Sequence, residues 1–187
     1  MPWMLVVFVV VVLAFHASEI AFVALVQRDR LSLESALLSP GYLAMLVLAI
    51  GEHLLEHAFF PAMKVAWISC VGLALVVAGE LIRKTGMVTA RRAFTHLIAT
   101  TRSDDHALVT HGIYRFVRHP GYLGWLLWAI GCQLVLVNPI TTVVAAIAAW
   151  RFFAARIPEE EAILVRFFPD SYEAYRRATP TWIPGIP

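Results

Sequence analysis

Charge is scarce in this sequence and cysteine is nearly absent. Of 187 residues, 15% are charged and 60% are hydrophobic, with a mean hydropathy of +0.73. That balance leaves too little polar surface for a soluble globule and fits one all-helical, polytopic membrane domain. The two cysteines, Cys70 and Cys132, both fall in apolar runs and form neither a disulfide framework nor a metal spacing. A net charge of +2 is too small to argue for a nucleic-acid partner. There is no G-x-G-x-x-G after a strand, no Walker motif, no G-x-S-x-G and no paired-cysteine pattern. A nucleoside-bearing ligand must therefore bind in a site assembled from loop and helix ends. No internal repeat is visible, and with it goes the usual signature of a small transporter.

Apolar runs are what the chain does have. Five are long enough, or nearly so, to cross a bilayer: Trp3 to about Val26, Gly41 to Phe60, Val65 to about Ile82, Gly121 to Val137, and Ile140 to about Phe153. The first begins without a basic flank and lacks a small-x-small cleavage site, so it reads as a membrane helix and not a removed signal. Pro61-Ala-Met-Lys64 joins the second and third spans as a tight hairpin. Asn138-Pro139 alone joins the fourth and fifth, which forces adjacent antiparallel helices. The expected organisation is three spans over 1–84, a cytoplasmic loop over 85–120, a helical hairpin over 121–156 and cytoplasmic helices over 157–187.

Lys and Arg set the orientation. Of fifteen such residues, Lys64 would face outside and the other fourteen inside. This predicts an outside N-terminus and a cytoplasmic C-terminus, with the host membrane being the inner membrane of a prokaryote or the endoplasmic reticulum of a eukaryote. In the C-terminal part, Ile163, Leu164, Phe167 and Phe168 recur at helical spacing and suit a helix at the membrane interface. Pro169 should stop that helix, and Asp170-Ser-Tyr-Glu173 should start another carrying Tyr172 and Tyr175.

The chemistry concentrates in His111-Gly-Ile-Tyr-Arg-Phe-Val-Arg-His-Pro-Gly-Tyr-Leu-Gly-Trp125. Pro120 suits the first turn of a helix, whose free N–H groups, flanked by Arg115 and Arg118, would make an anion site at a membrane surface. The plainer alternative is a positive flank of an ordinary span. Arg156 and Glu160 stand four apart on one helix face. They are either a surface ion pair or a functional couple, in which the guanidinium holds a substrate carboxylate and the acid holds an ammonium- or sulfonium-bearing ligand. His16, Glu19, Glu52, His53, Glu56, His57 and Glu80 lie inside spans, where ionisable groups face partners or a cavity. The order of the Glu and His pairs does not favour a metal site, and interhelical hydrogen bonds are the simpler reading.

With these residues in view, the chain resembles the isoprenylcysteine carboxyl methyltransferase family. The likeness rests on His106 through Trp125, Gly131-Cys-Gln133, Asn138-Pro-Ile140, Trp150-Arg-Phe-Phe153, Arg156, Glu159-Glu-Glu161, Phe167-Phe168, Tyr172, Tyr175 and the closing Pro180 to Pro184. It runs from about His16 to Pro187. Related phospholipid methyltransferases and some sterol reductases carry similar C-terminal regions. The resemblance implies S-adenosylmethionine as cofactor, held by His106, Ala107, Leu108, Val109, Tyr114, His119, Pro120, Gly121, Tyr122 and Glu160. It also implies that Arg156 binds the substrate, a lipophilic carboxylate such as a prenylated cysteine peptide drawn from the membrane lipid. The family often has Gln where this chain has Ala99. Eukaryotic members carry extra N-terminal helices, so the compact N-terminus points to a prokaryotic source.

Methyl transfer from a sulfonium to a carboxylate suits a site without an evident base, because the nucleophile is already an anion. Positioning and exclusion of water are what remain for the protein to supply. Three other readings compete: a methyltransferase for a small lipophilic acid, thiol, amine or phospholipid headgroup; a sterol-type membrane reductase using NADPH; and a transporter or scaffold.

Overall fold

In the computed structural model the chain is described at residues 2–96 and 107–187, with the backbone alone for Pro2. Six α-helices carry it: α1 (Pro2–Val26), α2 (Pro40–Phe59), α3 (Ala66–Ala90), α4 (Pro120–Leu136), α5 (Pro139–Phe167) and α6 (Tyr172–Ala178). The all-α expectation holds. Helices α1 and α3, and the segments Leu33–Phe59 and Pro139–Phe167, are long and apolar enough to cross a membrane; α4, at 17 residues, is shorter. Proline opens α2, α4 and α5 at a position where its missing N–H costs nothing.

Helices α3 and α4 form the spine. Glycines recur every seven residues on one face of α3, at Gly72, Gly79 and Gly86, and on α4 at Gly124 and Gly131. They let the two backbones touch. A Cβ built on Gly79 would lie 2.5 Å from the Gly124 carbonyl oxygen, and one on Gly72 2.5 Å from the Val135 nitrogen. Lipid supplies no hydrophobic drive between helices, so small residues that permit close packing take over. Against this pair α1 lays Phe15, whose ring stacks on Trp128 at 4.2 Å. Phe8, Ala49, Val76, Cys132, Val135 and Leu136 complete that core. A second core joins Leu126 to Ala149, Phe153 and Ile157 of α5, with Ile183 and Ile186 of the closing segment folded back onto them.

Two helices run on past the apolar runs that mark them in the sequence. Helix α3 does not end near Ile82 but continues to Ala90, so the stretch from Thr85 to Ala90 is helical and not loop. Hydropathy falls there, but packing does not: Met87 and Ala90 are buried and Gly86 abuts Pro120. Helix α5 runs on past the fifth apolar run, which ends near Phe153, and so keeps Arg156 and Glu160 on one helix as their spacing suggested. One helix runs through Pro158 to Phe167. The missing N–H of Pro158 removes one helical bond. Buried Ile157 and Glu161 on either side hold the helix in place, Glu161 through Arg118 at 2.6 Å and Arg176 at 3.0 Å.

The polar residues inside the spans are tied between helices. Glu52 of α2 accepts from the Ile140 and Thr141 amides, both at 2.7 Å, and so caps α5 from a neighbouring helix. His53 meets the Leu136 carbonyl at 3.0 Å and Glu56 pairs with Lys64 at 2.7 Å. His16 bridges the Ala36 carbonyl and the Tyr42 hydroxyl, each at 2.8 Å. These are the interhelical hydrogen bonds expected of such residues.

Candidate active site

Two cavities meet at the start of α4. The smaller, about 120 Å³, is lined by Ala90, Phe94, Ala107, Leu108, Val109, Tyr114, His119, Pro120, Gly121, Tyr122 and Glu160, with Tyr172 and Tyr175 of α6 closing one side. Nine of the ten residues expected at the cofactor are thus brought together; His106 and Ala99 lie outside the described residues. The larger cavity, about 700 Å³, is mainly apolar and runs between α1, α2, α4 and α5 past Phe8, Tyr42, Leu46, Trp125, Ala149 and Phe153. Arg156 stands at its polar end. Phe94, Thr95 and Tyr122 line both spaces.

Tyr122 is the junction. Its hydroxyl accepts from Arg156 Nε at 2.9 Å and donates to Glu160 Oε2 at 2.5 Å. Arg156 and Glu160 therefore share a phenol on α4 that separates a cationic side from an anionic one, as neither an isolated surface pair nor a random flank would. The second contact of Arg156 is Nη2 to the His96 carbonyl at 2.8 Å, and its guanidinium lies over the Tyr122 and Phe152 rings. Among the described residues Nη1 has no acceptor, so a fork of N–H groups is left for a carboxylate. On the other side, Glu160 has the phenol and, at 3.8 Å, the His119 ring. It keeps lone pairs for a cation in the smaller cavity.

Burial raises the Tyr114 phenol above its ordinary pKa, with Glu160 adding to the effect, and burial raises Tyr172 in the same way. Both remain neutral hydroxyls across the physiological range. Tyr114 belongs to a 3-10 turn, Gly112–Arg115, entered through Gly112 at φ +60°; its carbonyl is held by the Tyr175 hydroxyl at 2.7 Å.

Arg118 borders the smaller cavity but takes neither of the roles the sequence left open, anion ligand or plain positive flank. It is buried and spent on Glu161, with further bonds to the Arg176, Thr179 and Pro187 carbonyls, so it fastens the C-terminal segment and does not flank an anion site. His119 leans the same way, with Nε2 3.0 Å from Glu161 Oε1. Not anticipated from the sequence were Phe94, Thr95, Leu164 and His96, and the contribution of α1 and α2 to the apolar cavity. The ionisable residues of α1 were the available signal.

The model of the isoprenylcysteine carboxyl methyltransferase (ICMT) family matches residues 70–166. The chain is 44% identical to a probable protein-S-isoprenylcysteine O-methyltransferase of Oryza sativa over 96% of its own length and 95% of that protein's. It is 44% identical to the protein-S-isoprenylcysteine O-methyltransferase of Mus musculus over 92% of this chain and 62% of that one. A solved structure of a eukaryotic intramembrane Ras methyltransferase, ICMT, superposes with a TM-score of 0.95 at 40% identity, covering 98% of this chain and 67% of the other. Since the rice protein is almost fully spanned, compactness does not mark a prokaryotic member.

Proposed function

The chain belongs to the isoprenylcysteine carboxyl methyltransferase family, and on that premise we propose that it methylates the C-terminal carboxylate of a prenylated cysteine with S-adenosylmethionine as donor. The observation that carries the reading is the Tyr122 hydroxyl set between Arg156, at the end of an apolar cavity, and Glu160, in a pocket at the helix ends. The apolar lining of the first space suits a prenyl tail, and the Glu160 carboxylate of the second suits the positive sulfur of the donor.

Ala107, Leu108, Val109, Tyr114, His119, Pro120, Gly121, Tyr122 and Glu160 would hold the donor, with His106 from the loop, and Arg156 the acceptor. The donor supplies an electrophilic methyl carbon on a positively charged sulfur. The acceptor carboxylate is an anion at neutral pH, so no residue has to take a proton from it. Arg156 orients it by two N–H groups, which fixes its direction without a chemical step. Glu160 balances the donor's positive charge before transfer. Tyr122 keeps the two opposite charges apart while fixing both side chains. Apolar walls and the neutral phenols exclude water from the junction.

Purified protein in detergent should incorporate labelled methyl into an S-prenylated cysteine derivative as a base-labile ester, and not into phosphatidylethanolamine. The reverse pattern would sink the substrate assignment. Glu160→Gln should raise the Kd for S-adenosylmethionine about tenfold to a hundredfold, the range of a hydrogen bond to a charged group. Calorimetry showing an unchanged affinity would refute the role.

The same reading makes the chain one integral-membrane domain with its N-terminus outside and its C-terminus in the cytosol, on the bias of Lys and Arg. Expressed in a bacterial inner membrane in a cysteine-free background, Ala62→Cys should be labelled by a membrane-impermeant thiol reagent added to intact cells, and Glu173→Cys spared. Labelling in the opposite order would invert the topology.

A further inference from the structure

The two acceptors that hold Arg156 both lead back to one carboxylate on the first helix. Glu19 is fully buried on α1. Arg83 of α3 grips it with both ends of its fork, Nε to Oε1 at 2.7 Å and Nη2 to Oε2 at 2.8 Å, and Lys84 adds a further bond to Oε1. Its Oε2 also lies 2.6 Å from Nε2 of His96. His96 is the residue whose carbonyl accepts from Arg156 Nη2. The remaining arm of Arg83, Nη1, donates to the Gly121 carbonyl at 3.0 Å, and the next residue is Tyr122, whose hydroxyl accepts from Arg156 Nε.

The segment between α3 and His96 is strapped down by the same end of α1. Gln27 Nε2 donates to the Arg91 carbonyl at 2.8 Å and to the Phe94 carbonyl at 2.6 Å. Asp29 receives both ends of the Arg92 fork at 3.0 Å. Phe94 covers the Arg83 guanidinium and faces both cavities. So the backbone carbonyl that aims Arg156 is anchored through the His96 ring to a helix that lies outside residues 70–166.

We infer that Glu19, acting through His96, is a positioning residue for the carboxylate-binding fork of Arg156. This rests on the reading of Arg156 as the acceptor site given above. A buried charge cluster is by itself weak evidence for stability, since apolar packing often serves as well. The directional effect is what this cluster adds. Without the Glu19–His96 bond the strap turns, its carbonyl leaves Nη2, and the guanidinium loses the orientation that presents Nη1 and Nη2 together. Phe94 and Thr95 of the strap also border the donor side, but its charged partner Glu160 and Tyr114 sit on α5 and on the 112–115 turn, so donor affinity changes less than the acceptor KM.

The test uses the full chain in detergent or nanodiscs, with an S-farnesylcysteine derivative and S-adenosylmethionine as probes. His96→Ala leaves Arg83 and Lys84 on Glu19 and so spares the buried cluster; Glu19→Gln is the companion variant. Expected is a rise in acceptor KM of about tenfold to a hundredfold, the scale of a misplacement near 1 Å, with the calorimetric Kd for the donor near wild type. His96→Gln, which can still donate to Glu19, should recover most of the loss. In an Arg156→Lys background, which lacks the planar fork, His96→Ala should add little. An unchanged acceptor KM, a parallel loss of donor affinity, or full additivity with Arg156→Lys each overturns the inference. An inactive wild type overturns the functional reading and this inference together, whereas an active wild type beside unaffected variants overturns the inference alone.

Discussion

Replacing Arg156 by Ala is expected to lower kcat/KM for a prenylcysteine carboxylate by roughly a hundredfold or more, the scale of losing the orientation of a reacting group. The side chain is half-buried, fixed by Tyr122 and His96, and among the described residues its Nη1 has no acceptor at the end of the apolar cavity. No base is needed for this acceptor, so orientation is a large part of what the site contributes. The loss should therefore fall on turnover and on acceptor KM. In the proposed site the donor's counter-charge is Glu160, on the other side of the Tyr122 ring, so donor affinity by calorimetry should be largely preserved. Arg156→Lys should fall between wild type and Ala, because it keeps the charge and loses the planar fork. Turnover that survives in Arg156→Ala, or a donor affinity that collapses with it, would remove Arg156 from the acceptor site.

The residues that the resemblance implies at the donor line one cavity, and most of them are local in the sequence. Ala107 to Val109, Tyr114 and His119 to Tyr122 fall within sixteen positions, and Glu160 stands one helical turn from Arg156. Pro120 announced the helix end on which they converge. The spans were legible for the same kind of reason, since hydropathy is a property of runs. What was not legible depends on contacts between distant runs. The seven-residue recurrence of Gly72, Gly79 and Gly86 against Gly124 and Gly131 becomes a packing face only when α3 and α4 are known to be neighbours. The extension of α3 to Ala90 and the passage of α5 through Pro158 are secured by tertiary partners that override local breaking signals. Arg118 looked like an anion ligand beside a helix start, yet Glu161, forty-three positions on, claims it. Glu19 and His96, seventy-seven positions apart, give no sequence cue that they act together.

Lys64→Met should be the most destabilising single substitution away from the site. In the sequence Lys64 is the one Lys or Arg expected outside, in the hairpin between the second and third spans. It is instead 3% exposed, and its ammonium closes the end of the bundle opposite to the catalytic junction. Nζ donates to Glu56 Oε2 at 2.7 Å, to the Leu136 carbonyl at 2.9 Å, to the Val137 carbonyl at 3.1 Å and to Asn138 Oδ1 at 3.2 Å. Two of these acceptors are carbonyls at the C-terminal end of α4, where the helix has no N–H of its own to offer and where a cation is favoured. Methionine fills the space and leaves the buried Glu56 carboxylate, the Val137 carbonyl and Asn138 Oδ1 without a donor, while the Leu136 carbonyl keeps the His53 ring. Removing one member of a buried pair costs about 3–5 kcal/mol, which for a chain of this size corresponds to a fall in Tm of about 6–20 °C. Thermal unfolding in detergent reads it. Glu56→Leu in the same chain should return part of the loss, because the stranded charge leaves with it. From Pro139 to Arg156 α5 rises about 25 Å, so kcat measured well below the lowered Tm should match wild type. A Tm within a degree or two of wild type would show that water reaches this end of the bundle and that the cluster holds nothing together.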